Sequence, residues 1–512
     1  MTHKIFRRPP CHPAPLAFAA LLALAGCAVG PDFQPPAPPT IADASHPYTP
    51  APLPARTASA PGATGTPQVF VDGQDIPAAW WDAFHSPALD ELVRAAIAHS
   101  PTLAAAQATL REAQANYEAD YGAKMLPSVA GQVGGERQKV ALGAIGGAPT
   151  GTAYNVFSAQ VDVSYTVDLF GANRRELEGL AAQIDYQRFQ VEAAYLSLSS
   201  NVVATAIQEA ALREQRQATQ EVVDAEQKSL DLIDRQAQLG AVARSAVLQQ
   251  RTLVAQTQAQ LPALDKQLAQ TRHQLAVLVG RLPGDGGLPE FRMDALTLPR
   301  ELPLSVPSAL VRQRPDVRAS EALLHQASAG IGVATAALYP QITLSGAVDR
   351  QSLKLDKLFS MGTTGWSLIG GLTQPIFNGG ALHARKRAAV AAYDAANAQY
   401  QETVLNAFLS VANALRAIDI DAEGLRTQAQ AESLAKESLN LVEQQYRLGA
   451  ASYLASLDAQ RTWLQTRVAL AQARATRLAD TAVLFQALGG GWWNAPDAVA
   501  SLDSAAASAP AH

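Results

Sequence analysis

The chain has 512 residues, 48% of them hydrophobic and 17% charged, with a formal net charge of −5 at pH 7. A negative balance excludes nucleic acid as a partner, because binding it demands a basic surface. The nine histidines are scattered, the four methionines form no cluster, and no HExxH, GxSxG, P-loop or GxGxxG in a strand–helix setting occurs, so neither an enzyme nor a metal site is expected.

The N-terminus is read first. Lys4, Arg7 and Arg8 form a positive region. The apolar run that follows, Leu16 to Ala25, is too short to span a bilayer, which takes about 20 residues. Residues 1–26 therefore read as a secretory signal. Leu24-Ala25-Gly26-Cys27 resembles a bacterial lipobox, in which a lipid is attached to the cysteine and the chain is cut before it. Cys11 leaves with the signal, so Cys27 is the one cysteine of the mature chain and no internal disulfide can form, even in an oxidising compartment. No cofactor is expected beyond that covalent lipid. Loss of Lys4, Arg7 and Arg8 from the 40 basic residues leaves 37 against 45 acidic ones. Eleven of the 31 prolines lie between Pro31 and Pro67, so residues 27–79 read as an extended tether.

A helix is expected from about Leu89 to Lys124, followed by two strand-like runs, Leu126–Val140 and Phe157–Leu169. In the second run Phe157, Ala159, Val161, Val163, Tyr165 and Val167 alternate with Ser158, Gln160, Asp162, Ser164 and Thr166. Period two with one apolar and one polar face fits a half-buried strand, and equally a barrel strand between lipid and a wet lumen. From Thr150 to Leu261 there is no proline, and Arg174–Gln238 is rich in Ala, Leu, Gln and Glu. This predicts a helix of roughly 95 Å. Leu177, Ile184, Val191 and Leu198 repeat by sevens, a coiled-coil seam. A break at Leu239-Gly240 and a returning helix to Leu278 close the first half.

The order then recurs. A helix over Ser308–Leu338, strand runs Gln341–Arg350 and Trp366–Gln374, a long helix Ala381–Leu448, a break at Leu448-Gly449 and a return to Leu488 make a second half. Val404, Phe408, Val411, Leu415 and Ile418 mark its seam. Gly240 and Gly449 are 209 positions apart, and Phe170 matches Phe377 in sequence. The expected divisions are 80–290 (strands about 126–169) for the first repeat, 301–493 (strands about 340–377) for the second, and a flexible tail over 494–512. No uncharged apolar run of transmembrane length appears after the signal, so a membrane crossing must be a closed barrel. Four strands cannot close one, since small membrane barrels have about eight. Several copies must contribute. The other reading at this point is an envelope lipoprotein with a purely structural role.

Several motifs carry a resemblance: LAGCAVGPDFQPP at 24–36, WWDAFHSPALDELVRAAIAHSPTLAAA at 80–106, QRPDVRASEALLHQASAGIGVATAALYPQITLSG at 313–346, QPIFNGG at 374–380 and YRLGAASYLASLDAQR at 446–461. With these the chain resembles the outer-membrane efflux proteins of the TolC type, in the NodT-like and OprM-like lipoprotein branch. The resemblance implies a mainly α fold with a membrane β-barrel, in which a homotrimer supplies four strands per chain to 12 and a coiled-coil-like helical tunnel continues into the periplasm. It implies a Gram-negative outer-membrane site, which Ala28 after the lipidated Cys27 favours. It also implies a periplasmic adaptor and an inner-membrane resistance-nodulation-division pump as partners; a type I secretion duct is the variant on the same fold. Asp458 matches the position of an acidic ring at the periplasmic mouth, and the tips at Gly240, Gly449, Tyr446 and Arg447 are implied as adaptor contacts. Two departures stand out: Gln313 precedes Arg314 where the family commonly has two arginines, and no acid lies near Ala246.

Overall fold

The structure is a computed structural model that describes residues 28–37, 48–50, 52–139, 153–304 and 307–495. Cys27, the signal and most of the expected tail lie outside the described residues. The chain divides into two compact units. One draws on Met1–Pro36, Leu110–Gln187 and Ser320–Tyr400, the other on Ala37–Thr109, Arg188–Ala319 and Gln401–His512.

In the first unit, β2 (Ser128–Lys139), β3 (Ala153–Val167), β5 (Gln341–Ser352) and β6 (Thr364–Thr373) form one antiparallel sheet in the order β2-β3-β5-β6. Val161 pairs with Gly131 on one side and Val348 on the other, and Val348 pairs with Trp366. The alternating residues thus line up across strands, apolar with apolar, because a one-residue slip would send every side chain to the wrong face. The apolar face is bare: Val133 is 83% exposed, Trp366 and Leu368 79%, Leu372 69%. Strands β2 and β6 are both edges without a partner among the described residues.

Helices α2 (Pro101–Met125) and α7 (Pro315–Ala336) lead into the sheet. Helices α3 (Ala172–Gln238) and α8 (Ala381–Arg447) lead out of it, each 67 residues long. Their starts and ends are 209 positions apart, as are Gly240 and Gly449. Gly171 and Gly380 precede them with φ of 80° and 82°, a conformation that costs a side-chain-bearing residue steric strain. By that register Gly379, and not Phe377, stands opposite Phe170. The expected Phe170–Phe377 match is therefore displaced by two residues, and the loop before α8 absorbs the difference. A stretch of α8 is long and apolar enough to cross a membrane by length and composition alone, which the run-by-run reading of the sequence did not anticipate. Leu405, Phe408, Leu409, Val411, Leu415 and Ile418 supply much of that character, several of them buried as seam residues.

The second unit holds the main core. Trp80, Phe84, Leu89 and Val93 pack with Val202, Val203 and Ile207, with Leu275 and with Val411, Leu415, Leu478 and Phe485. The indole of Trp80 stacks on Phe485 at 5.5 Å. Fully burying each of these large apolar side chains contributes roughly 1.5–3 kcal/mol. The seam residues Val404, Val411, Leu415 and Ile418 are each fully buried, as the heptad spacing requires.

Three helices expected as single pieces are broken, and a proline lies at the start of each second piece. The first is α1 (Pro87–His99) followed by α2. The returning helix of the first half is α4 (Arg244–Gln258) and α5 (Leu261–Leu278), with Pro262 at the start of α5. The third pair is α6 (Pro307–Gln313) and α7. Proline cannot donate into the preceding turn and clashes with it. The equivalent helix of the second half, α9 (Tyr453–Ala487), has no proline and runs unbroken.

The tether is corrected more substantially. Part of residues 27–79 is built into the second unit. There β1 (Val69–Asp72) pairs in parallel with β4 (Glu301–Leu304), and Ile76 is fully buried. The Arg477 guanidinium, itself fully buried, donates to Thr64 O (3.2 Å), Thr66 O (2.9 Å) and Thr57 Oγ1 (3.0 Å).

Candidate functional site

The turn after α3 and the turn after α8 share one backbone design. Gly240 and Gly449 adopt φ of 74° and 76°. Gly240 N donates to Ala237 O at 3.0 Å and Ala241 N to Gln236 O at 2.8 Å; Gly449 N donates to Tyr446 O at 3.0 Å and Ala450 N to Gln445 O at 2.8 Å. This paired closure satisfies the last helical carbonyls and needs a left-handed residue, which glycine supplies at least cost. A Cβ at either glycine would meet nothing within 4 Å. Leu239 and Leu448 just before them are 85% and 84% exposed, and Leu232 and Leu441, seven residues earlier, are 45% and 54% exposed. Both tips thus present apolar side chains that no neighbour among the described residues covers.

Behind the tips lies a polar network. Tyr446 Oη donates to Gln236 Oε1 at 3.1 Å and its ring lies 5.9 Å from that of Tyr453. Tyr453 donates its hydroxyl to Gln250, and Gln250 Nε2 donates to Glu226 O at 2.8 Å. Thr257 Oγ1 donates to Glu226 Oε1 at 3.1 Å, while Glu226 Oε2 is buried without a partner among the described residues. Burial pushes the Glu226 carboxyl up from the ordinary range, and the Thr257 bond only partly offsets it. Burial likewise raises the Tyr446 and Tyr453 phenols. Glu226, Gln250 and Tyr453 were not singled out from the sequence. The signal was there: Glu226 sits between the buried Val222 and Ile233 at seam spacing, where an acid is out of place. Arg447, also at the tip, donates to Glu443 O at 3.3 Å.

Asp458 lines an open groove of about 750 Å³ between α4 and α9, with Leu248, Gln249, Thr252, Leu454 and Arg461. Its side chain is 73% exposed and it makes a 3.4 Å ion pair with Arg461 one turn on. Gln249, the counterpart of Asp458 by the 209-residue spacing, lines the same groove. The two halves therefore face a common space here. One side is neutral and the other acidic.

A second site sits in the first unit. Residues 28–33 are clamped against α3 and α7. Val29 N donates to Phe170 O (3.1 Å), and Arg175 Nη2 donates to Asp32 Oδ1 (2.6 Å). Arg175 Nη1 reaches Glu178 Oε2 (2.8 Å), His325 Nε2 lies 2.9 Å from Glu178 Oε1, and Phe33 stacks on His325 at 4.3 Å. Burial alone would raise the Glu178 carboxyl, but His325 and Arg175 hold it below its ordinary value. Gly30, at φ 104°, crosses Gly332 so closely that a Cβ would lie 2.5 Å from the Gly332 Cα. This arm begins one residue after Cys27.

Two further ionisable groups are notable. Burial and then a hydrogen bond from Asp480 push the Asp421 carboxyl up to about 7, against the opposing pull of Arg477. Burial also pushes Glu192 up to about 7, against Arg188. Among the described residues no group of His, Cys, Asp and Glu could hold a metal ion.

The sequence profile described as outer membrane efflux protein matches residues 92–281 and again 306–490. Pyoverdine export outer membrane protein OpmQ of Pseudomonas aeruginosa is 33% identical over 440 residues, covering 84% of this chain and 91% of that one. Solvent efflux pump outer membrane protein SrpC of Pseudomonas putida is 32% identical over 487 residues, covering 93% and 98%. Among solved structures, the outer-membrane channel OprN superposes with a TM-score of 0.81 at 26% identity, over 91% of this chain and 100% of that one.

Proposed function

The chain belongs to the outer membrane efflux protein family, and from that premise we propose that three copies close into one efflux channel through the outer membrane, each copy supplying a third of the wall. The observation that carries this is the open sheet: four strands, two edges unpaired among the described residues and a bare apolar face. Exposed edges and faces of this kind are a liability in water, and closure removes the edges. Twelve strands give a barrel whose outer face meets lipid. Ser164, Thr343 and Ser345 then face a wet lumen. The exposed Leu434 and Leu441 of α8 and Leu448 just after its end, spaced by sevens, are the matching seam for a neighbouring copy's helix.

The internal repeat gives the register of the joint. Pro127 and Pro340 are 213 positions apart, and the pairs Ser128–Ser164 and Gln341–Thr373 then place β3 and β6 209 apart, the spacing of α3 and α8. If the joint between copies repeats the joint between halves, Ser164 opposite Ser345 becomes Thr373 opposite Gln132 of the next copy. The neighbouring pair Val163–Gly346 becomes Leu372 opposite Val133, both on the apolar face. This parity is a real test, because a register wrong by one residue would fail it.

In this reading a lipid on Cys27 enters the membrane beside Phe170, where the clamped arm begins. Asp458 and its two symmetry mates ring the periplasmic mouth and favour cations there. The exposed tips at Gly240, Gly449, Tyr446 and Arg447 receive a periplasmic adaptor that links the channel to an inner-membrane pump of the resistance-nodulation-division type. That pump supplies the energy and selects the cargo. Conductance of the purified protein in a planar bilayer tests the channel: discrete steps are expected, and their absence would leave only a structural lipoprotein. Mass spectrometry of the mature N-terminus tests Cys27, with the lipid absent in Cys27→Ser.

A further inference from the structure

Helices α3 and α7 meet inside the chain, and the repeat implies a second joint of the same kind that the chain leaves open. In the closed joint Glu178 Oε1 lies 2.9 Å from His325 Nε2. A Cβ on Gly179 would lie 3.7 Å from Ala329 Cβ and 3.9 Å from Gln326 Cγ. Nearer the start of α3, Arg175 lies over Gly332 so closely that a Cβ there would meet its Cγ at 2.7 Å. Helix α7 buries Ala322, Leu324, Ser328, Ala329, Thr335 and Ala336, whereas its counterpart α2 buries Leu103 alone. The face that α7 turns to a neighbour is bare on α2.

By the 209-residue spacing, Arg385 and Arg387 of α8 stand where α3 has Glu176 and Glu178, Ala384 stands for Arg175 and Ala388 for Gly179. Helix α2 follows α7 at a spacing of 213 from Pro127 and Pro340, or 214 from Pro101 and Pro315. Glu112 takes the place of His325 by the first and of Gln326 by the second, so both spacings set it against positions 387–388. Glu112 and Arg387 are exposed, and neither has an ion pair among the described residues. The volumes are exchanged as well. Gly332 becomes Ala119 or Glu118 by the two spacings, and Arg175, which lay over it, becomes Ala384. A side chain gained on one helix is met by one shortened on the other. Inside the chain the long helix brings the acid and its neighbour the base; at the open joint the long helix brings the base and α2 the acid.

We propose that Arg387 pairs with Glu112 of the next copy, and that this pair selects the head-to-tail joint between copies. The proposal rests on the channel reading above. In a free chain water serves both groups. On assembly the joint withdraws it, and charge complementarity across an interface then fixes register and suppresses wrong partners more than it adds affinity. Two copies set the same way up in a membrane could also meet like to like, α8 on α8 or α2 on α2. That would bring Arg387 level with Arg387, or Glu112 with Glu112. The unlike pair disfavours both and leaves α8 on α2, the joint that repeats from copy to copy and closes a ring.

The test is native mass spectrometry of the full chain in neutral detergent over a dilution series. Arg387→Glu or Glu112→Arg alone should raise the concentration at which the trimer falls apart about tenfold, because every joint of the ring exchanges an attraction for a repulsion. The double variant Arg387→Glu/Glu112→Arg restores an unlike pair and should return to within about twofold of wild type. Single variants that dissociate as wild type does, or a double variant no firmer than the singles, would overturn the pair. Failure of the channel reading would show separately, as a wild type that is monomeric throughout the series.

Discussion

The two halves of the chain share a backbone plan and differ in what they leave unanswered. In the first half, the start of the long helix is neutralised by its own neighbours and by the arm. In the second, the same positions hold cations with no partner among the described residues. The returning helix of the first half is broken before Pro262, whereas that of the second runs 35 residues without interruption. In the shared groove the first half presents Gln249 and the second Asp458. Duplicated elements thus keep the features that set geometry, namely glycine turns and seam residues. They diverge where one copy faces the rest of the chain and the other faces outward.

The glycines give the strongest way to break this comparison. Gly280 and Gly489 are also 209 apart and both left-handed, at φ 72° and 99°. Unlike the tip glycines, they press on backbone: a Cβ would lie 2.4 Å from His99 O at Gly280 and 2.8 Å from Gln313 O at Gly489. Alanine at either should cost about 2–4 kcal/mol, the left-handed penalty plus displacement of packed backbone. At Gly240 or Gly449, where there is room, it should cost about 1–2 kcal/mol. Thermal unfolding in detergent reads the difference, and equal losses at all four positions would mean that the tips are packed as tightly as the core.

Arg477→Met comes next. It removes three hydrogen bonds that hold residues 57–66, and it strips Asp421 of a compensating charge. A loss of about 3 kcal/mol is expected, with proteolysis opening first in that segment; unchanged protection there would return it to the status of a loose tether.

The pH dependence follows from Asp421. Its folded value, about 7, lies above the unfolded one near 3.8, so the folded state binds the extra proton. That contribution is fully present below the unfolded value and is lost as pH rises through the folded one. The melting temperature of wild type should therefore fall between about pH 4 and 7 and level off above that. Asp421→Asn should remove part of that fall, leaving the share of Glu192, which is raised to a similar value by burial. A wild type and an Asp421→Asn variant with parallel pH profiles would show that Asp421 is not protonated in the fold.

The smallest effect on stability and the sharpest on function is expected in the groove. Asp458→Ala should change stability by less than about 0.5 kcal/mol, because the side chain is exposed. It should weaken cation preference or raise leak in the bilayer. Gln249→Asp should shift selectivity the opposite way, if both halves face one pathway. No change in either variant would remove the groove from the conduction path.

Much of this architecture was legible in the sequence because it rests on period. Alternation in Phe157–Val167, sevens in Leu177–Leu198 and Leu-Gly-Ala at both tips each report a local rule, and the structure follows them. What was hidden depends on long-range partners. The strand Val69–Asp72 is only four residues long and exists because Glu301–Leu304 lies beside it. Residues 57–66 look like a tether by proline content, yet Arg477, more than 400 positions away, holds them. The arm at 28–33 carries a recognisable motif, but its seat on Arg175 and His325 could not be read from spacing. Glu226 betrayed itself only as an acid in an apolar seam.

The most direct measurement is a cysteine cross-link at the joint between copies. With Cys11→Ser/Cys27→Ser as background, Thr373→Cys and Gln132→Cys in one chain should oxidise to a covalent ladder ending at three copies, while Thr373→Cys with Glu136→Cys, four residues out of register, should stay uncoupled. A chain that remains monomeric in both, with no higher mass in detergent, would contradict the claim that each copy is one third of a wall.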